Sequence, residues 1–285
     1  MANLKEIRNR IASIGSTMQI TSAMKMVSAA KLKKAQDAIV QMRPYANKLT
    51  ELLQNLSANA EDIESPYSEQ RDVKNVLLVA ITSNRGLCGG FNSNVIKETV
   101  RIAQTNYADK NVSLYTIGKK GNDLLSKKFT VIGNQNALFD TLTFDNASLV
   151  AEELMQLFVG GTYDKIEIIY NQFKNAATQL VQVEQFLPLV ATISKTSSSV
   201  NYVFEPNQTD IVTVLMPKSL KMQLYKSVRD SYASEHGARM TAMHKATDNA
   251  TELRDDLLLT YNKARQAAIT NEILEIVGGA EALNN

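Results

Sequence analysis

Apolar residues return every seven positions through the first 57 residues of this 285-residue chain, and that period constrains its fold more than any other feature. One set of positions reads Leu4, Ile11, Met18, Lys25, Leu32, Ile39, Ala46 and Leu53. The set three residues later reads Ile7, Ile14, Thr21, Ser28, Ala35, Met42, Leu49 and Leu56. These are the a and d positions of a coiled coil. At 1.5 Å rise per residue such a helix is roughly 80 Å long. Pro44 lies inside it and is expected to loosen the ladder near Val40, whose carbonyl loses its donor.

The C-terminal stretch repeats the pattern. Met243, Ala246, Ala250, Leu253, Leu257, Thr260, Ala264, Ala267, Asn271 and Leu274 fall on one seam, extended backwards by Tyr232 and Tyr225. Its many alanines allow close approach of a partner helix. Gly278 and Gly279 read as a helix stop, and Pro217 as a start or bend.

The middle is different material. Residues 76–81 form a buried-strand run, followed by the Gly-rich turn Ser83-Asn84-Arg85-Gly86-Leu87-Cys88-Gly89-Gly90. Helices are expected over 93–104, 123–128 and 149–159, and strands over 112–117, 129–132, 165–170 and 181–188. This alternation argues for an α/β sheet with helices on its faces. Residues 59–72 carry five acidic side chains and Pro66 and read as a polar, mobile linker, with a second polar connector over 194–199. The expected organisation is therefore an antiparallel coiled coil of long N- and C-terminal helices (1–57 and 207–285), a linker (58–73) and an inserted Rossmann-like α/β domain (74–200). The alternative, in which each helix packs on the globular domain, leaves a long overhang on a domain of about 14 Å radius of gyration.

Three features of the helices bear on function. Thr21, Lys25 and Ser28 occupy successive seam positions, either as a register-fixing polar layer or as a contact with something else. Residues 1–57 carry nine basic side chains against three acidic ones, a solvated face or one that meets an acidic partner. Near the C-terminus Ile269, Ile273, Ile276, Ala280 and Leu283 form a stripe with Val277 beside it, while the seam residues lie on the opposite face. A helix apolar on both faces must be enclosed, and two helices cannot enclose it, so a surrounding partner is expected.

Several classes are disfavoured. The formal net charge of +2 and the lack of aromatic interleaving on the basic helix argue against nucleic acid. The single cysteine, Cys88, excludes an internal disulfide and reads as a buried thiol. The Gly-rich turn follows a strand and precedes a helix, as phosphate sites do, but lacks the Gly-Lys-Ser/Thr ending and the GxGxxG spacing. His236 and His244 both lie on the C-terminal helix, and no catalytic triad is suggested. No apolar run is long enough to span a bilayer. The start, Met1-Ala2-Asn3-Leu4-Lys5-Glu6, lacks the apolar core of a secretory leader, which favours a bacterial origin. A passive helical tether is the remaining rival, and it does not account for the two-faced apolar tip.

Longer motifs carry a resemblance. Ile7-Arg8 with Ile11, Ile20-Thr21-Ser22-Ala23-Met24-Lys25-Met26-Val27, Arg43-Pro44-Tyr45, the Gly-rich turn continuing through Phe91-Asn92, and Tyr202-Val203-Phe204-Glu205-Pro206 all resemble the gamma subunits of F-type ATP synthases. So do Ala233-Ser234-Glu235-His236-Gly237-Ala238-Arg239-Met240, Tyr261-Asn262-Lys263-Ala264-Arg265-Gln266 and Ile276-Val277-Gly278-Gly279-Ala280.

The resemblance covers essentially the whole chain and implies a non-catalytic rotor shaft. On that reading a coiled coil enters a ring of alpha and beta subunits. The α/β part sits at the foot, against the epsilon subunit and the c-subunit ring, peripheral to the cytoplasmic side of the cell membrane. Proton flow turns the foot, and the shaft drives ATP synthesis or hydrolysis at the beta sites. By motif, Met24, Lys25, Arg239, Arg265 and Gln266 match positions that meet beta. Ile269, Ile273, Ile276 and Val277 match the bearing tip, and Tyr202, Phe204 and Glu205 the foot against the c ring and epsilon. No catalytic, cofactor-binding or metal residues are implied. The regulatory cysteine pair of the plant chloroplast form is absent.

Overall fold

The computed structural model describes residues 4–58, 65–189 and 208–283. The elements run α1 (Leu4–Ala58), β1 (Asn75–Ile81), α2 (Phe91–Thr105), β2 (Asn111–Ile117), α3 (Lys119–Leu125), β3 (Thr130–Asn134), a 3-10 turn (Ala137–Phe139), α4 (Phe144–Val159), β4 (Lys165–Phe173), β5 (Gln179–Leu187) and α5 (Gln208–Leu283). They divide into two compact units, one of Met1–Ser28 with Met240–Asn285 and one of Ala29–Arg239. Both long helices contribute to both units.

In the larger unit the sheet order is β3-β2-β1-β4-β5. β1 pairs in parallel with β2 and β4, β2 with β3, and β5 closes one edge antiparallel to β4. From Val76 to Ile81 β1 is an unbroken apolar run because both of its faces are covered. One face packs Leu77, Val79, Ile81 and Tyr170 against Leu154 and Phe158 of α4 and against Leu220, Leu224 and Val228 of α5. The other packs Leu78, Ala80 and Leu114 against Val95 and Ile102 of α2 and Leu125 of α3. The sheet therefore covers part of α5, as the alternative reading of the helices had it. In the same unit α1 packs Ala46 and Leu49 against Met222 of α5. Residues 233–239 of α5 are all buried.

Local chemistry sets several boundaries. Thr143 caps α4 by accepting from the Asn146 N–H at 3.3 Å. α3 starts at Lys119, four residues before the expected 123. Its orphan N–H groups find distant acceptors: Gly121 donates to Thr82 Oγ1 at 2.9 Å and Lys119 to Asn84 Oδ1 at 3.0 Å. The expected linker is anchored where it is described. Tyr67 packs on the core, its carbonyl accepts from Leu189 N–H at 2.8 Å, and Arg71 Nη1 donates to Phe158 O at 3.0 Å. Residues 59–64 and the connector over 194–199 lie outside the described residues. α1 runs through Pro44 and α5 through Pro217 without a break in either helix.

The smaller unit is an antiparallel helix pair. Arg8 Nη2 donates to Tyr261 OH at 2.7 Å, Thr251 Oγ1 to Met18 Sδ at 3.3 Å, Thr21 Oγ1 meets Thr247 Oγ1 at 2.8 Å, and Lys25 Nζ meets His244 Nδ1 at 3.4 Å. Numbers rise on α1 as they fall on α5. Along α1 the expected seam is the inner face: Ile7, Thr21 and Ser28 are buried, and Ile11, Ile14, Met18 and Lys25 half-buried. Thr21 works as a polar layer between the helices.

On α5 the seam has a different phase. Leu253 is 51% exposed and Thr260 is exposed, while Thr247, Arg254 and Tyr261 turn inward between Met243, Ala250, Leu257 and Ala264. Arg254 and Tyr261 place an apolar stem and ring against α1 and keep a polar end at the rim, which a count of apolar residues misses. Gly278 and Gly279 do not stop the helix, which continues to Leu283. Neither adopts the left-handed conformation that a glycine cap requires.

Candidate subunit interfaces

The Gly-rich turn leaves the C-terminal end of β1, beside the point where the strand order reverses between β1 and β4. Ser83, Cys88 and Asn92 knit it together. Asn92 Oδ1 accepts from Ser83 N–H at 2.9 Å, and Asn92 Nδ2 donates to Ser83 Oγ at 2.8 Å and Cys88 Sγ at 3.2 Å. Leu87 (φ 62) and Gly89 (φ 58) make the reversal. Cys88 is buried, and burial pushes its thiol up. The sole cysteine is thus an inert packing group.

The turn faces a cation rather than an anion. Arg239 of α5, 7% exposed, donates through Nη2 to Arg85 O at 3.1 Å and Gly86 O at 3.4 Å. Its Nη1 pairs with Glu235 Oε1 at 2.7 Å and reaches His236 Nδ1 at 3.3 Å. A phosphate cradle presents N–H groups, whereas this loop presents carbonyls, so the polarity is reversed. By motif Arg239 matches a position that meets beta, and that match gives no sign of its buried partners. The i,i+4 spacing of Glu235 and Arg239 was the available signal.

Burial, then the charges of Arg239 and Lys31, push His236 down to about 3, so the ring is neutral. In the unfolded chain it titrates near 6.5. Its contribution to stability is complete above pH 6.5 and is lost progressively as pH falls from 6.5 toward 3, because the unfolded chain takes up the proton first. At pH 5 this loss is expected to be about 2 kcal/mol, and His236→Gln is expected to remove it. Asp230, pushed up to about 6 by burial, acts in the opposite sense between 3.8 and 6 in both proteins, so the difference between wild type and variant isolates the histidine. Urea midpoints at pH 7 and pH 5 check this. Equal pH slopes would mean that the native ring is already charged.

The remaining candidate residues fall at separate places. Met24 and Lys25 lie on α1 in the helix pair, both half-buried, with Lys25 beside His244, which also meets Asp248 Oδ2 at 3.3 Å. Arg265 and Gln266 are exposed on α5, past the Tyr261 level where Arg8 reaches it. Ile269, Ile273, Ile276 and Val277 are exposed by 48%, 55%, 67% and 55%. Leu274, on the other side, is 63% exposed, so apolar side chains on both sides of this segment face solvent in the isolated chain. Tyr202, Phe204 and Glu205 lie outside the described residues.

A family model described as ATP synthase matches residues 3–283. The ATP synthase gamma chain of Flavobacterium johnsoniae is 71% identical over 286 residues, covering 100% of both chains. That of a Geobacter species is 45% identical over 285 residues, covering 99% of both. Among solved structures, the central stalk and c-ring of the Tetrahymena thermophila mitochondrial ATP synthase contains a chain with 29% identity and a TM-score of 0.62, over 80% of this chain and 99% of that one. A chain of the Euglena gracilis mitochondrial rotor shares the fold at 23% identity and a TM-score of 0.69, over 93% and 98%. Identity over the full length, with the paired terminal helices and the inserted sheet, leads to one conclusion: the chain belongs to the ATP synthase gamma-chain family.

Proposed function

We propose that this chain is the rotating central shaft of an ATP synthase, carrying torque between a proton-driven c ring and the catalytic sites of the beta subunits. The observation that carries the reading is the end of α5. It remains helical beyond its last α1 partner and exposes apolar side chains, which an isolated soluble helix has no reason to keep. An alpha/beta sleeve would cover them. Contacts there are apolar and non-directional, so rotation breaks no fixed hydrogen bond.

Four groups of residues divide the work. Ile269, Ile273, Ile276 and Val277 form the bearing tip. Arg265 and Gln266 bind a beta loop, the guanidinium by its planar fork. Met24 and Lys25 meet an acidic beta surface, and in the larger unit Arg239 fixes the Arg85 and Gly86 carbonyls of the Gly-rich turn. Tyr202, Phe204 and Glu205 meet the c ring and epsilon at the foot. The chain performs no catalysis of its own and takes no cofactor or nucleic acid. Among the described residues no helix is long and apolar enough to cross a membrane. Its membrane association is peripheral, through the c ring on the cytoplasmic side of the cell membrane.

The test is co-expression with alpha, beta, epsilon and c subunits. The chain is expected to purify with them. Arg265→Ala with Gln266→Ala is expected to weaken head assembly or ATP-driven torque roughly tenfold or more, the scale of an interface hot spot. An ATPase that assembles and turns with unchanged torque in the double variant would remove these two residues from the account.

A further inference from the structure

His244 stands between two opposite charges and reaches both through one atom. From α1, Lys25 Nζ lies 3.4 Å from its Nδ1, and from α5 itself Asp248 Oδ2 lies 3.3 Å from the same Nδ1. Among the described residues these are the charged groups that face the ring from the two helices of the smaller unit. An ammonium only donates and an ionised carboxylate only accepts. A ring nitrogen carries either a lone pair or a proton, so Nδ1 serves one neighbour at a time. With its lone pair free it accepts from Lys25 and joins the helices. With a proton it donates to Asp248, one turn along α5, and the charged ring turns a like charge toward Lys25.

The group is open to water, while the helices around it are packed. The His244 and Asp248 side chains are 56% and 57% exposed, so a proton reaches the ring without unfolding. On α1, Thr21 and Ser28 are buried on either side of half-buried Lys25, and Thr21 Oγ1 meets Thr247 Oγ1 at 2.8 Å. On α5, Met243 and Ala250 are buried on either side of His244 and Asp248. The exchange therefore moves side chains and leaves the helix pair in place. Histidine is also the side chain type whose ordinary charge change falls between pH 5 and 8.

We propose that His244 is a positioning residue for Lys25. Unprotonated, it holds the ammonium against α5; protonated, it turns to Asp248 and releases the ammonium to the acidic beta surface. The inference rests on the reading of Lys25 given above. The cationic contact with beta strengthens as pH falls, with no change in the helices themselves.

The experiment compares wild type with His244→Gln, whose amide oxygen accepts from Lys25 at any pH, and with His244→Ala, which offers no acceptor. In the isolated chain, carbon-13 relaxation at Lys25 Cε reads how firmly the ammonium is held. Wild type is expected to match the Gln variant at about pH 8 and the Ala variant at about pH 5.5. In the co-expressed complex, zero-length carbodiimide coupling of Lys25 to beta carboxylates is compared among the three proteins at each pH, which cancels the reagent's own pH dependence. The wild-type yield is expected to equal that of the Gln variant at the higher pH and to exceed it about threefold at the lower, the scale of one exposed ion pair. Equal mobility of Lys25 in the Gln and Ala variants would overturn the inference and leave the rotor reading standing. A wild type that follows one variant at both pH values would do the same. An exchange in the isolated chain with no difference in coupling to beta would overturn the positioning role, again without touching the rotor reading. Failure of the wild-type chain to assemble would overturn both readings.

Discussion

Replacing Arg239 with Ala is expected to destabilise the isolated chain by about 3–5 kcal/mol at neutral pH, the usual cost of removing one partner of a buried ion pair. Glu235, 7% exposed, would lose its cation, and the carbonyls of Arg85 and Gly86 would lose their donor. Burial already raises the Glu235 carboxyl, with Arg239 as the main opposing influence. In the variant that opposition disappears, so Glu235 gains a proton more readily and the deficit shrinks as pH falls. Removing both charges should matter far less. Arg239→Met with Glu235→Leu is expected to stay within about 1.5 kcal/mol of wild type, since it leaves no orphaned charge. Urea unfolding of the single and double variants reads the difference. A single variant within about 1 kcal/mol of wild type would show that the pair is solvated and that the turn does not depend on it.

The second large effect belongs to the tip. Changing Ile269, Ile273, Ile276 and Val277 together to Asp is expected to leave the thermal midpoint of the isolated chain nearly unchanged, because all four are exposed there. In the complex the same carboxylates would enter an apolar sleeve without partners, each at a cost of several kcal/mol. Assembly or ATP-driven torque is therefore expected to fall by roughly a hundredfold or more. Changing the three isoleucines to Leu, which keeps apolar volume, should be nearly silent. A tetra-Asp chain that assembles and turns normally would mean that the tip is not enclosed.

Much of this was legible in the chain. The α1 heptads predicted the inner face of the helix pair and put Thr21 on it; that Thr21 works as a polar layer, against Thr247, was one of two readings left open. The run 76–81 predicted the central strand, because a strand covered on both faces has no polar side to show. What escaped was set by distant partners. The phase of the α5 seam turns on Arg254 and Tyr261, whose apolar stem and ring count as polar in a sequence pattern. The start of α3 depends on acceptors from Thr82 and Asn84, more than thirty residues upstream. The burial of Arg239 depends on the Gly-rich turn coming to meet α5, and local spacing could suggest its pairing with Glu235 but not its burial. The glycines at 278 and 279 read as a stop because their usual role is a left-handed cap, yet each also tolerates an exposed helix at a cost of about 1 kcal/mol.

The central claim is that this chain turns. The single cysteine is buried at 2% exposure, so a cysteine placed at exposed Asp109 can be labelled alone. With the alpha/beta head fixed to a surface and a bead on that cysteine, ATP is expected to drive stepwise rotation in one direction that ceases when ATP is withdrawn. A bead that only fluctuates about a fixed angle while the same complex hydrolyses ATP would contradict the account.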